Sequence, residues 1–333
     1  GLVNGGLGNV SPLIGLKNAY GAEAVVYEPD AACIESATVD GAELVVFFAK
    51  APQGGEGHDC ESIELPDDQE EAIERLAALT DRLVVVLQTG SSVDVSRWAE
   101  APAALLVAWY GGEATGDAIA DLLTGRVNPS GKLPCTFGNP IRDYPAEALG
   151  EWPAKLLLER HPGKPGMKPE ERRPLCAFRT EYREGVLIGH RWFDAQGVEP
   201  RYPFGYGLSY TTFELGEPKL EEGDYGWEVC VPVRNRGDRT GAEVVQLYIE
   251  DVEASLPRPP RELRAFRKVT VEPGATQHTT LHFKLRDLSF FDPARACWVA
   301  EAGLYRLHIG TSSRDLPHTL DLQLPETRTL PHL

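Results

Sequence analysis

The sequence predicts an α/β domain built on a mainly parallel sheet, followed by an all-β sandwich. Three observations predict it. Short β-rich apolar runs alternate with helix-spaced stretches from residue 11 to about 137; a stretch rich in Pro, Arg, Lys and Glu interrupts the pattern; and from Phe213 strands alternate with turn signals.

The β-rich runs of the first part are residues 24–28, 44–49, 83–87 and 104–109. Their near-continuous apolar character suits strands buried on both faces, as in a parallel sheet. Between them, Pro66 can sit in a first helical turn, Asp67 and Asp68 suit the positive N-terminal end, and Ala72, Ile73, Leu76 and Leu79 form one apolar face. A second helix is expected over residues 115–123, ending at Gly125, and the run Gly125-Arg126-Val127-Asn128-Pro129-Ser130-Gly131 reads as a loop. Residues 138–180 carry little periodicity apart from a short helix within 146–158. Beyond Phe213, strands are expected at 227–233, 242–249, 277–284 and 305–309, punctuated by Asn235-Arg236-Gly237-Asp238 and Pro273-Gly274.

Composition narrows the function. The chain has 333 residues, with 33 Lys+Arg against 50 Asp+Glu and a formal charge of −17. Binding nucleic acid or anionic lipid relies on clustered Lys/Arg, so neither is expected as a partner. No apolar run approaches the ~20 residues of a membrane helix, and a soluble protein is expected. Residue 1 is Gly, the only Met is Met167, and the opening lacks a signal-peptide layout, so the expectation is a processed or excised piece with a lean towards an intracellular location. The six cysteines, Cys33, Cys60, Cys135, Cys176, Cys230 and Cys297, show no metal-ligand spacing and leave the redox compartment open. No metal or organic cofactor is implied.

Paired carboxylates commonly cleave glycosidic bonds. Gly54-Gly55-Glu56-Gly57-His58-Asp59 places an acid on a loop just past a strand, where open α/β sheets present ligands. Read from the residues alone, Glu56 is equally an acid in a solvated turn. His58 can tune a neighbouring carboxylate, hold a metal, or be a plain loop histidine; Asp59 can orient the loop through backbone N–H bonds. Trp109-Tyr110 can face a sugar ring or belong to the core. The serines lack a nucleophile-elbow pattern.

Longer motifs sharpen this reading. The runs Tyr182-Arg183-Glu184-Gly185 to Asp194 and Tyr202-Pro203-Phe204-Gly205-Tyr206-Gly207-Leu208-Ser209-Tyr210 resemble the later part of glycoside hydrolase family 3 β-glucosidases. So do Asn128-Pro129-Ser130-Gly131-Lys132-Leu133-Pro134, Arg258-Pro259-Pro260-Arg261-Glu262-Leu263, and Asp287-Leu288-Ser289-Phe290-Phe291-Asp292 with Trp298-Val299. The resemblance implies an α/β sandwich domain over residues 1–140, an extended linker over 141–212 and a fibronectin type III-like β-sandwich over 213–325. It also implies a retaining mechanism in which one carboxylate attacks the anomeric carbon and another, ~5–5.5 Å away, protonates the leaving oxygen and later activates water.

Within that mechanism Glu56, in Gly55-Glu56-Gly57-His58-Asp59, matches the family's Glu-Gly-aromatic-Asp-Arg pattern and is implied as the general acid/base. His58 and Asp59 beside it are the substrate-binding candidates. His58 stands where the family has an aromatic residue and Cys60 where it has Arg. The nucleophile is implied to lie on a (β/α)8 barrel, for which these residues offer no eight βα units. Gly5-Gly6-Leu7-Gly8-Asn9 resembles the segment after the first sandwich strand, so that strand is expected to be missing too. The expected partners are a β-glucoside or oligosaccharide substrate, the barrel-containing half of the enzyme, and further copies of the chain. A non-catalytic carbohydrate-binding or interaction module of the same architecture, and a β-xylosidase-type enzyme, remain the alternatives.

Overall fold

The structure is a computed structural model that describes residues 9–34, 36–51, 60, 62–150, 182–223 and 225–331. Contacts divide the chain into two compact units, one of residues 1–127 with 137–183, the other of residues 128–136 with 184–333.

The first unit is α/β. Its described sheet has three parallel strands in the order β1 (Val45–Lys50), β2 (Leu83–Gln88), β3 (Ala104–Val107). β2 is the central strand, and its Leu83, Val85, Val86 and Leu87 are fully buried, as the apolar pattern required. Helices α1 (Pro12–Tyr20), α2 (Ser36–Asp40), α3 (Asp67–Leu79), α4 (Thr115–Leu123) and the short α5 (Pro145–Ala148) complete its described elements, with three short 3₁₀ turns. α1 opens on Ser11, whose Oγ accepts from the Ile14 N–H at 3.3 Å, followed by Pro12 in the first turn. α1 and α4 pack through glycines: a Cβ on Gly15 would lie 2.1 Å from the Gly116 carbonyl oxygen, so no larger residue permits this approach. α3 carries Asp67, Asp68 and Glu70 in its first turn and buries Ala72, Ile73 and Leu76.

The expected strand over residues 24–28 is not one. Ala22–Ala24 form a 3₁₀ turn, and Val26 and Tyr27 beyond it are 77% and 60% exposed. A strand exists only where a neighbour completes its hydrogen bonds, and among the described residues β1 pairs only with β2. The expected helix within 146–158 is present only as α5, the remainder lying outside the described residues.

The second unit is all-β apart from α6 (His190–Gln196) and α7 (Leu285–Leu288). One sheet runs β13 (His318–Leu324), β12 (Gly303–Gly310), β7 (Gly241–Asp251), β8 (Glu262–Val271), all antiparallel. The other centres on β6 (Gly226–Asn235), bordered along its length by β9 (Thr276–Phe283), while β4 (Phe213–Leu215) and β5 (Lys219–Gly223) pair with its two ends. β10 (Phe290–Asp292), β11 (Cys297–Ala300) and β14 (Arg328–Leu330) form a small third sheet. Alternate residues of facing strands fill the core: Val229, Val231 and Val233 of β6, Val245, Leu247 and Ile249 of β7, and Tyr305, Leu307 and Ile309 of β12.

α6 lies within the stretch expected to be an extended linker, and here it belongs to the β unit. Asp194 of α6, with a side chain 2% exposed, is held by Arg314 at 2.7 Å and Arg261 at 3.2 Å. His190 stacks on Phe204 at 5.0 Å and meets Tyr248 edge-on at 5.6 Å. No helix of the described residues is long and apolar enough to cross a membrane.

Candidate active site

Because β1, β2 and β3 are parallel, their C-terminal ends share one edge of the sheet, which is where open α/β sheets place ligands. Glu56, His58 and Asp59 come after β1 in the sequence and lie outside the described residues. What is described is how the chain is held on either side of them.

On the near side, β1 ends at Lys50, whose outer backbone groups face away from β2. Gln69 of α3 satisfies both: the Lys50 N–H donates to Gln69 Oε1 at 2.8 Å, and Gln69 Nε2 donates to the Lys50 carbonyl at 3.1 Å. One side-chain amide thus does what a neighbouring strand would do. The next residue, Ala51, donates its N–H to the Gln88 carbonyl at 3.1 Å, continuing the ladder towards β2. On the far side, Glu64 forms a parallel bridge with Asp94, whose N–H donates to the Ile63 carbonyl at 2.9 Å. Asp94 is itself fixed, its Oδ1 accepting from the N–H and Oγ of Ser96 at 2.9 and 2.6 Å. Both ends of the segment are therefore tied to the body of the unit. Sequence reasoning missed Gln69 and Asp94, since no motif marks an amide that caps a strand edge.

The loops after β2 and β3 complete the described edge. Trp109 has φ of +54°, a conformation rare for a bulky residue and costing ~1–3 kcal/mol. Its half-buried ring meets Phe137 edge-on at 6.3 Å. Tyr110 is 52% exposed and lies against Gly90, where an added Cβ would come within 2.6 Å of its ring. Strain at Trp109 turns Tyr110 outwards beside the end of β2. Behind the edge, Arg97 joins Glu70 at 3.1 Å and Glu74 at 2.8 Å, bracing α3 against the segment after Asp94. Burial raises the Glu70 carboxyl above its ordinary range and Arg97 works against that rise. Among the described residues no group of three or more His, Cys, Asp or Glu could hold a metal ion.

The second unit explains the longer motifs. Asn128 Oδ1 accepts from Ser209 Oγ and from the Tyr210 N–H, both at 2.8 Å, while its Nδ2 donates to the Thr240 carbonyl at 3.0 Å. Lys132 donates to the Gly207 carbonyl at 2.8 Å and pairs with Glu243 at 2.7 Å. Leu133 exchanges backbone bonds with Gly205 and Tyr206, both at 2.8 Å. The two motifs are one interlock, and their residues bind each other.

Comparison with known proteins matches residues 4–210 to the glycosyl hydrolase family 3 C-terminal domain and residues 243–313 to a fibronectin type III-like domain. The chain belongs to glycosyl hydrolase family 3. It is 37% identical over 289 residues to the β-glucosidase BoGH3A of Bacteroides ovatus, covering 84% of this chain and 36% of that protein. An exo-α-(1→6)-L-arabinopyranosidase of Bifidobacterium breve is 33% identical over 303 residues, covering 89% of this chain and 37% of that one. Among solved structures, the Bifidobacterium adolescentis β-glucosidase superposes with a TM-score of 0.80 at 31% identity, covering 96% of this chain and 46% of the other. The Thermotoga neapolitana β-glucosidase 3B gives 0.82 at 28% identity, with 98% and 48% covered. This family 3 chain thus spans about 36% of the length of BoGH3A and less than half of either solved enzyme.

Proposed function

We propose that the chain is the C-terminal part of a retaining β-glucosidase that removes terminal non-reducing β-D-glucosyl residues. Glu56 serves as general acid/base, His58 and Asp59 contact substrate, and the nucleophile belongs to a barrel-bearing polypeptide. The observation that carries the reading is the family match over residues 4–210, together with relatives named as β-glucosidases. The clamped ends of the segment holding Glu56 support it, because an acid/base must be held to within a fraction of an ångström of its working position. No cofactor enters this chemistry. The carboxyl protonates the glycosidic oxygen as the bond to the leaving group breaks, then accepts a proton from the water that releases the sugar.

The test is intact mass under native conditions on protein purified from its source, denaturing mass on the same sample, and hydrolysis of an aryl β-glucoside. The reading expects activity to follow a species that includes a barrel, as a second polypeptide or as a longer chain. A species of 36.5 kDa alone that binds sugar without hydrolysing it would instead establish the binding module. A second glycone is favoured by the arabinopyranosidase relatives at 33% identity. Assaying aryl α-L-arabinopyranoside beside aryl β-glucoside on the same sample separates the two.

A further inference from the structure

β8 and β9 are outer strands of the two facing sheets, pairing among the described residues only with β7 and β6, and they border a cleft of about 330 Å³. This lies at the small end of the ~300–1,000 Å³ typical of ligand sites. Arg264, Phe266 and Arg267 of β8 and Thr280 and His282 of β9 line it. The Phe266 ring is 67% exposed. A single exposed Phe is ordinary; the charges around it are not.

On a chain of −17, this edge of the sandwich is short of anions. The carboxylate of Glu262 is shared by Arg264 at 2.7 Å, Arg258 at 2.9 Å and Arg191 at 3.5 Å. Arg264 Nε is buried and has no hydrogen-bond partner among the described residues. Arg267 has no ion-pair partner among the described residues, and His282 is matched by Glu228 at 3.2 Å. Arg286, just past β9, is held below its ordinary value first by burial and then by the charge of Arg264. Guanidiniums that repel one another and share too few carboxylates are stabilised by an incoming anion.

We propose that this cleft binds a carboxylate-bearing sugar chain, a uronate oligosaccharide or polysaccharide, with Phe266 beneath a sugar ring and Arg264 and Arg267 on its carboxylates. The guanidinium fork matches a carboxylate in plane and spacing, and an exposed aromatic face packs against the C–H groups of a pyranose. A partner strand fits worse, because charged side chains along an edge strand keep other strands away. The negative charge of the whole chain does not forbid the ligand, since charges beyond ~8 Å are screened at physiological salt. The proposal does not rest on the glycosidase chemistry and stands whether or not that chemistry is present.

The experiment is titration of the 333-residue chain in physiological salt with polygalacturonate, with the neutral polymer hydroxyethyl cellulose, and with polyglutamate as a polyanion without sugar rings. Polygalacturonate is expected to bind, and Arg267→Glu and Phe266→Ala are each expected to weaken it about tenfold, the size of one lost charge-assisted or stacking contact. Both side chains are exposed, so neither change removes core packing. Polyglutamate is expected to bind at least about tenfold more weakly, with no response to Phe266→Ala. The proposal is overturned if polygalacturonate does not bind, if it binds no better than either control polymer, or if both variants leave its affinity unchanged. Sedimentation showing that Arg267→Glu dissolves a dimer while polysaccharide binding persists would overturn it too, since the cleft would then belong to a second copy.

Discussion

His190 shows how much one side chain can govern. It stacks on Phe204, and its buried Nε2 has no hydrogen-bond partner among the described residues. Burial, with the charges of Arg191 and Arg261 adding to it, pushes its pKa down to about 4. Above about pH 6.5 the ring is neutral in both folded and unfolded chains; between about 6.5 and about 4 only the unfolded chain takes up the proton, so acidification favours unfolding. The loss reaches at most about 3 kcal/mol at the acid end. His190→Phe keeps the stack and removes the titration. Urea unfolding at pH 7 and pH 4.5 is therefore expected to show a smaller drop in the variant than in the wild type, and an equal drop would contradict the assignment. A second residue-level expectation concerns Arg258, whose side chain is 8% exposed and joins Asp251, 5% exposed, at 2.8 Å. Arg258→Met leaves the buried Asp251 carboxylate without its cation and is expected to cost about 3–5 kcal/mol, measurable as a lower urea midpoint at pH 7.

At the scale of elements, the amide of Gln69 replaces a neighbouring strand at the end of β1 and holds the backbone from which residues 52–59 depart. Gln69→Ala removes two hydrogen bonds from a surface position, so it is expected to cost about 1–2 kcal/mol in stability. If Glu56 acts as proposed, the same change lowers kcat of the barrel-containing enzyme more than it raises KM, and Gln69→Glu restores less than half of the loss because it keeps only the acceptor. Unchanged kcat with normal folding would mean the clamp does not position the loop. The elements legible in the sequence were those with an intrinsic pattern. α3 showed its apolar face, α4 its helical stretch closed by Gly125, and β2 its continuous apolar run. Residues 24–28 have the composition of a strand, but strand formation depends on a partner that composition does not reveal. β8 was missed for the opposite reason: Arg264, Arg267 and Lys268 on an open edge erase the alternation that marks half-buried strands. The clamp of Gln69 and the shared carboxylate of Glu262 depend on residues distant in sequence meeting, and no local pattern foretells that.

At the scale of the molecule, if the chain is the C-terminal part of a barrel-containing enzyme as proposed, the question is what it contributes to the reaction. A general acid matters in proportion to how badly the leaving group needs a proton. For a poor leaving group, such as the second sugar of a disaccharide, loss of the acid is expected to cost ~10²–10⁴-fold. A dinitrophenolate leaves without help. Glu56→Ala in the barrel-containing enzyme is therefore expected to cut kcat/KM for cellobiose by that full factor while leaving kcat/KM for dinitrophenyl β-glucoside within about tenfold of the wild type. The kcat for the dinitrophenyl substrate still falls, because release of the sugar needs the same carboxylate as a base, and added azide should restore it by attacking without a base. Equal losses of kcat/KM for the two substrates would mean that Glu56 holds the loop or the sugar and that the proton comes from elsewhere. The comparison of leaving groups isolates proton transfer from folding and binding, since a misfolded or weakly binding variant loses both substrates alike.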